Sequence, residues 1–141
     1  MDLIEKSLGI ALKAYAGQKD KAGKTYILHP LRLMNNVVTE EEMAVALLHD
    51  VIEDSDYTEH DLLNKGIPSK VIEAVKCLSK LDGEDYEDFI SRILENELAT
   101  KIKIVDIEDN INILRLNTIS DKDLKRIAKY HNAWLKLKKG S

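Results

Sequence analysis

Ala44-Val45-Ala46-Leu47-Leu48-His49-Asp50-Val51-Ile52-Glu53-Asp54 is the stretch on which the reading of this chain turns. Its first five residues are apolar without interruption, the pattern of a helix buried on every side. Thr39 with Glu42, just upstream, has the spacing of a capping box and predicts a helix from Glu40 to about Glu53. With each helical residue turning about 100°, His49, Glu53, Asp50 and Asp54 fan across one side of its C-terminal end. Three carboxylates and an imidazole crowded beside a core repel one another and lose hydration, and a bound cation relieves both penalties. Two plainer explanations compete. A helix end that reaches solvent carries Glu and Asp at no cost, and a His-Asp pair arises often by chance.

Helical periodicity continues on both sides. Apolar spacing predicts helices over Leu3 to Ala16, Leu31 to Val37 with Pro30 in the first turn, Thr58 to Lys65, and Pro68 to Leu81. Further helices are expected over Tyr86 to Leu94, Leu98 to Leu114 and Ser120 to Leu137, with Gly66 and Asp82-Gly83 as breaks. Lys101 to Val105 alternates like a strand, but Ile104, Ile107, Ile111 and Leu114 keep helical spacing. The expectation is an all-α, compact bundle of about seven or eight helices, one domain over residues 1–141, with 136–141 as a frayed tail. At 141 residues, 44% hydrophobic and 33% charged, the composition is that of a globular domain.

Two further segments set polar groups among apolar ones. Lys103, Asp106 and Asn110 share one helix face, with Asp106 between Val105 and Ile107; an exposed Lys103–Asp106 ion pair explains them equally well. His29 precedes Pro30 at a helix start, where a partly buried structural histidine is the plain alternative. Taken together, two imidazoles and two carboxylates from separate helices suit manganese, iron or zinc, with positions left for water and substrate. The net charge of −4 and a pI near 5.6 argue against nucleic acid as the partner. One cysteine, Cys77, excludes an internal disulfide. No apolar run is long enough for a membrane span, and Met1-Asp2-Leu3-Ile4-Glu5 does not start like a signal peptide. A cytoplasmic location is therefore expected. The oligomeric state is open, a homodimer being allowed.

The pieces Gly17-Gln18, Gly23-x-x-Tyr26-Ile27-Leu28-His29-Pro30, Leu47-Leu48-His49-Asp50-Val51-Ile52-Glu53-Asp54 and Lys103-x-x-Asp106-x-x-x-Asn110 occur in that order. In this the chain resembles the HD-domain metal-dependent phosphohydrolases, and within them the hydrolase domain of Rel/SpoT alarmone enzymes and their small stand-alone relatives. The resemblance implies a manganese-preferring site with His29, His49, Asp50 and Asp106 as ligands. It implies Glu53 and Asp54 as the acidic pair that handles the nucleophilic water, and Tyr26, Lys103 and Asn110 as nucleotide-pocket residues. Lys21, Lys80, Lys103 and Arg115 are candidates for neutralising substrate phosphates. The implied reaction removes the 3′-pyrophosphate of (p)ppGpp. The sequence departs from the family at three positions: Tyr15 where histidine is usual, Asp20 where an arginine usually stacks on guanine, and Thr25 where proline is usual. A carboxylate cannot supply a stacking cation, so another nucleotide as substrate, or a nucleotide-binding module without turnover, stays open.

Overall fold

The computed structural model describes residues 1–141 and is all-helical. The helices are α1 (Leu3–Ala14), α2 (Leu28–Asn35), α3 (Glu40–Leu48), α4 (Val51–Asp54), α5 (Glu59–Asn64), α6 (Ser69–Cys77), α7 (Tyr86–Ile93), α8 (Glu97–Asn110) and α9 (Asp121–Gly140), with one 3-10 turn at Ile113–Arg115. Counting the single turn of α4 as a continuation of α3 gives the expected eight. The extended structure amounts to one isolated antiparallel bridge, Lys19 to Thr25.

Local chemistry starts and stops these helices as the sequence suggests. Asp2 with Glu5, Thr39 with Glu42, Thr58 with Asp61 and Ser120 with Asp123 all form reciprocal capping boxes, each satisfying otherwise orphaned backbone N–H groups. Gly66 ends α5 at φ +84°, while the Ile67 N–H returns to the Leu62 carbonyl and the Gly66 N–H to Leu63. This is a Schellman closure that needs a left-handed residue.

Helix α3 is the axle of the bundle. Ala44 through Leu48 have no exposed surface, and the helix packs on α1, α2, α6 and α8. A core of 26 buried hydrophobic residues surrounds it. The outer helices are amphipathic by comparison: α7 buries Phe89, Ile90 and Ile93 and leaves its other face polar.

Three boundaries differ from the sequence reading. The helix expected over 40–53 breaks at His49-Asp50. The helix expected to reach Leu114 ends at Asn110, where Asn112 caps the 3-10 turn by accepting from the Leu114 N–H. Residues 136–140 are not a frayed tail: α9 continues to Gly140, Leu137 is fully buried, and Gly140 lies against the Leu94 side chain. Leu137→Ala is therefore expected to lower unfolding free energy by at least ~2 kcal/mol in a urea titration. A tail without packing would give no measurable change.

Candidate metal centre and its cavity

The break between α3 and α4 is made by side chains that take over backbone hydrogen bonds. The His49 ring places Nδ1 2.7 Å from the Ala46 carbonyl. The Tyr15 hydroxyl donates to the Leu47 carbonyl and accepts from the Asp50 N–H, both at 3.1 Å. With those groups engaged the helix cannot simply run on, and Asp50 takes φ −106°, ψ 4°. The side chains of His49 and Asp50 consequently converge: His49 Nε2 lies 3.2 Å from Asp50 Oδ2. The Tyr26 hydroxyl donates to the same Asp50 oxygen. Burial, followed by the Asp50 charge, pushes the Tyr26 phenol far above its ordinary value, so it remains a donor.

His29 enters from α2 and Asp106 from α8. His29 Nε2 lies 2.8 Å from Asp106 Oδ1, and His49 Nε2 lies 3.6 Å from that same oxygen. One donor atom each from His29, His49 and Asp106 fits within a mutual distance of 4.8 Å. All three residues are buried. Asp106 also accepts from Lys103 Nζ and from Asn110 Nδ2, each at 3.0 Å. The Lys103–Asp106 pair is thus buried, where the simplest reading of the sequence put it on the surface.

These donors fit a divalent cation. The Ala46 carbonyl can only accept, so it fixes the proton of neutral His49 on Nδ1 and leaves a lone pair on Nε2. That Nε2 is fully buried and makes no hydrogen bond of normal geometry, although Asp50 Oδ2 lies 3.2 Å and Asp106 Oδ1 3.6 Å away; a cation among them would satisfy all three. The charges point the same way. Burial favours neutral His49, but the Asp50 and Asp106 carboxylates outweigh it and lift the imidazole to about 9. Burial also opposes ionisation of Asp106, yet Lys103, His29 and His49 hold it well below the usual carboxylate range. Positive charge is in demand at this point of the fold.

The cluster forms part of the wall and floor of a cavity of about 600 Å³. Of the residues singled out in the sequence, Lys21, Tyr26, His29, Asp50, Glu53, Asp54, Lys103, Asp106, Asn110 and Arg115 line it. His49 lies just beneath, against Asp50 and Asp106. Lys80 is the exception. It is not on the cavity wall, and its contribution is a main-chain one, its N–H donating to Glu53 Oε2 at 3.1 Å. Partial burial, then the Asp50 and Glu53 charges, raise Asp54 to about 6.

Several lining residues had no place in the sequence reading: Arg32 from α2, and Arg126 and Tyr130 from α9. Asp109 was missed as well, although it touches His29. A usable signal existed for two of these. Arg32 follows His29 by three residues and Asp109 follows Asp106 by three, so each shares a helix face with a candidate ligand.

No family model matches the chain. Among curated proteins it is similar to the guanosine-3′,5′-bis(diphosphate) 3′-pyrophosphohydrolases of Haemophilus influenzae, 32% identical over 133 residues, and Vibrio cholerae, 30% identical over 129 residues. These alignments span 85% and 81% of the chain but 20% and 18% of the relatives. The chain thus spans about a fifth of the length of the curated relatives it matches. Among solved structures, a metazoan ortholog of SpoT described as hydrolyzing ppGpp superposes with a TM-score of 0.77 at 20% identity, covering 97% of this chain and 85% of the other. Over more than four fifths of its length the chain is similar to one segment of these pyrophosphohydrolases, and it shares the fold of the SpoT ortholog.

The structure gives each departure from the family pattern a local job. Tyr15 holds open the α3–α4 break. Asp20 closes the turn that follows α1: its Oδ1 accepts from the Ala22 and Lys24 N–H groups at 2.9 Å each. Thr25 pairs with Lys19 across that turn. The domain has no helix long and apolar enough to cross a membrane.

Proposed function

We propose that this chain is a Rel/SpoT-type domain and a cytoplasmic, divalent-cation-dependent phosphohydrolase that removes the 3′-pyrophosphate of ppGpp or pppGpp. Water is consumed and the products are pyrophosphate with GDP or GTP. The observation that carries the reading is the buried, unpartnered His49 Nε2 beside His29, Asp50 and Asp106 at a cavity edged by both carboxylates and cations. The names of the curated relatives support the substrate class.

His29, His49, Asp50 and Asp106 would hold the cation, with manganese the expected ion and iron or zinc suited to the same donors. When bound, such an ion supplies Lewis-acid chemistry, drawing charge from a phosphoryl oxygen and making water more acidic. Glu53 stands exposed on the cavity wall with one oxygen fixed by the Lys80 N–H. In this reading it orients the attacking water and takes its proton. Asp54 lines the same cavity wall, next to Glu53 in the chain, and is placed to share that proton. Lys21, Lys103 and Arg115 line the same cavity and counter the substrate's phosphates, while Tyr26 and Asn110 hold Asp50 and Asp106 in place.

A second reading keeps the chemistry and changes the base. Asp20 stands where a stacking arginine is usual and is spent on its own turn, so a different nucleotide is the alternative substrate. A release assay on a nucleotide panel that includes ppGpp decides, run with manganese, with zinc and with chelator. Cation-dependent pyrophosphate release from ppGpp is the expected result. Release from another nucleotide alone would move the substrate assignment, and no release from any would leave a binding module.

A further inference from the structure

His29 is held from behind by a second carboxylate, that of Asp109. His29 Nδ1 lies 2.6 Å from Asp109 Oδ2. Asp109 is gripped in turn by Arg32, whose Nε donates to Oδ1 at 2.8 Å and whose Nη2 donates to Oδ2 at 2.9 Å. Arg115 Nη2 approaches Asp109 Oδ2 at 3.3 Å and also donates to the Asp109 main-chain carbonyl. The Asp109 side chain is only 12% exposed. From the sequence, three residues beyond Asp106, it reads as one more surface acid.

We infer that Asp109 is a positioning residue for the cation centre: it keeps the His29 proton on Nδ1 and so turns the Nε2 lone pair toward His49 and Asp106. The reason is donor arithmetic. Both ring nitrogens face carboxylates, Nδ1 that of Asp109 and Nε2 that of Asp106, and a carboxylate can only accept. The Asp109 carboxylate already carries Arg32 and Arg115, whereas Asp106 Oδ1 also faces His49 Nε2 at 3.6 Å, the point where a cation would take the lone pairs; with that cation in place the hydrogen stays on Nδ1 and Nε2 is the ligating nitrogen. Carboxylate-backed histidines of this kind fix ring orientation and raise ligand basicity. Arg32 and Arg115 act one step further out, fixing the carboxylate. The Ala46 carbonyl does the corresponding job for His49, so both imidazoles present Nε2 to the same point.

This inference rests on the cation-centre reading, and its test does not use turnover. Manganese and zinc affinities of the chelator-treated chain are measured by calorimetry for the parent, for Asp109→Asn and for Arg32→Met, with helix content followed by circular dichroism. Asp109→Asn is expected to weaken both ions by about 10- to 100-fold at unchanged helix content, and Arg32→Met to weaken them less. Affinity in Asp109→Asn within twofold of the parent overturns the inference. A parent chain that binds neither ion overturns the cation centre itself. A second measurement needs no variant: in the zinc-loaded parent, long-range 1H–15N spectra are expected to show the His29 proton on Nδ1. A proton on Nε2 overturns the assignment even if Asp109→Asn fails to fold.

Discussion

Asp106→Ala is expected to remove cation-dependent turnover by about 10³-fold or more. A Lewis acid at a phosphoryl centre is worth several kcal/mol of barrier, and each ~1.4 kcal/mol is tenfold in rate. The structure adds a complication that must be separated from chemistry. Asp106 is the partner of Lys103, whose side chain is only 14% exposed. Removing the carboxylate strands that ammonium, at a cost on the order of 3–5 kcal/mol for a buried pair. Lys103→Met combined with Asp106→Ala should recover much of the lost stability, because the two residues are coupled, while turnover stays absent. Chemical denaturation and pyrophosphate release measured on the same preparations report the two effects independently. Full activity in Asp106→Ala would remove the cation centre assigned here.

The second large effect is expected at Glu53. Glu53→Gln keeps the side chain's length and an oxygen that can still accept the Lys80 N–H. Fold and cation affinity should therefore match the parent. Turnover should fall by about 10²- to 10⁴-fold, the usual contribution of a positioned base. The comparison separates holding the cation from using it, since the proposal gives Glu53 the water and not the cation. Unchanged turnover would take Glu53 out of the mechanism and leave Asp54, on the same cavity wall, to serve.

What the sequence reveals about this molecule is local. Capping boxes at Thr39 and Ser120 and the turn at Gly66 lie within a few residues of the elements they bound, and those boundaries follow from pattern alone. The break at His49-Asp50 does not, because its cause is a tyrosine 35 residues away in Asp50's hydrogen-bond partner Tyr15. A helical wheel drawn through that break still puts His49 and Asp50 side by side, since the break draws them closer together instead of parting them. Lys80 was singled out for its charge, but it is the Lys80 main chain that reaches the site, through its N–H to Glu53. Asp109 was overlooked because an acid on an exposed-looking helix turn reads as solvated until α2 brings His29 and Arg32 against it. Leu137 was misjudged because lysines surround it in sequence, while α9 turns only that one face inward.

The donors of the cation centre come from α2, the C-terminal end of α3 and α8, at positions 29, 49 and 106, and an unfolded chain does not hold them within bonding distance of one ion. Ligation is therefore coupled to folding. At a free cation concentration 100 times the dissociation constant, the folded state gains about 2.7 kcal/mol. The unfolded fraction falls about a hundredfold with it. On the proposed reading, cation supply would set the stability of the domain as well as its rate. With the ion scarce, the chain would spend more time open to proteases, and protein would be lost along with activity.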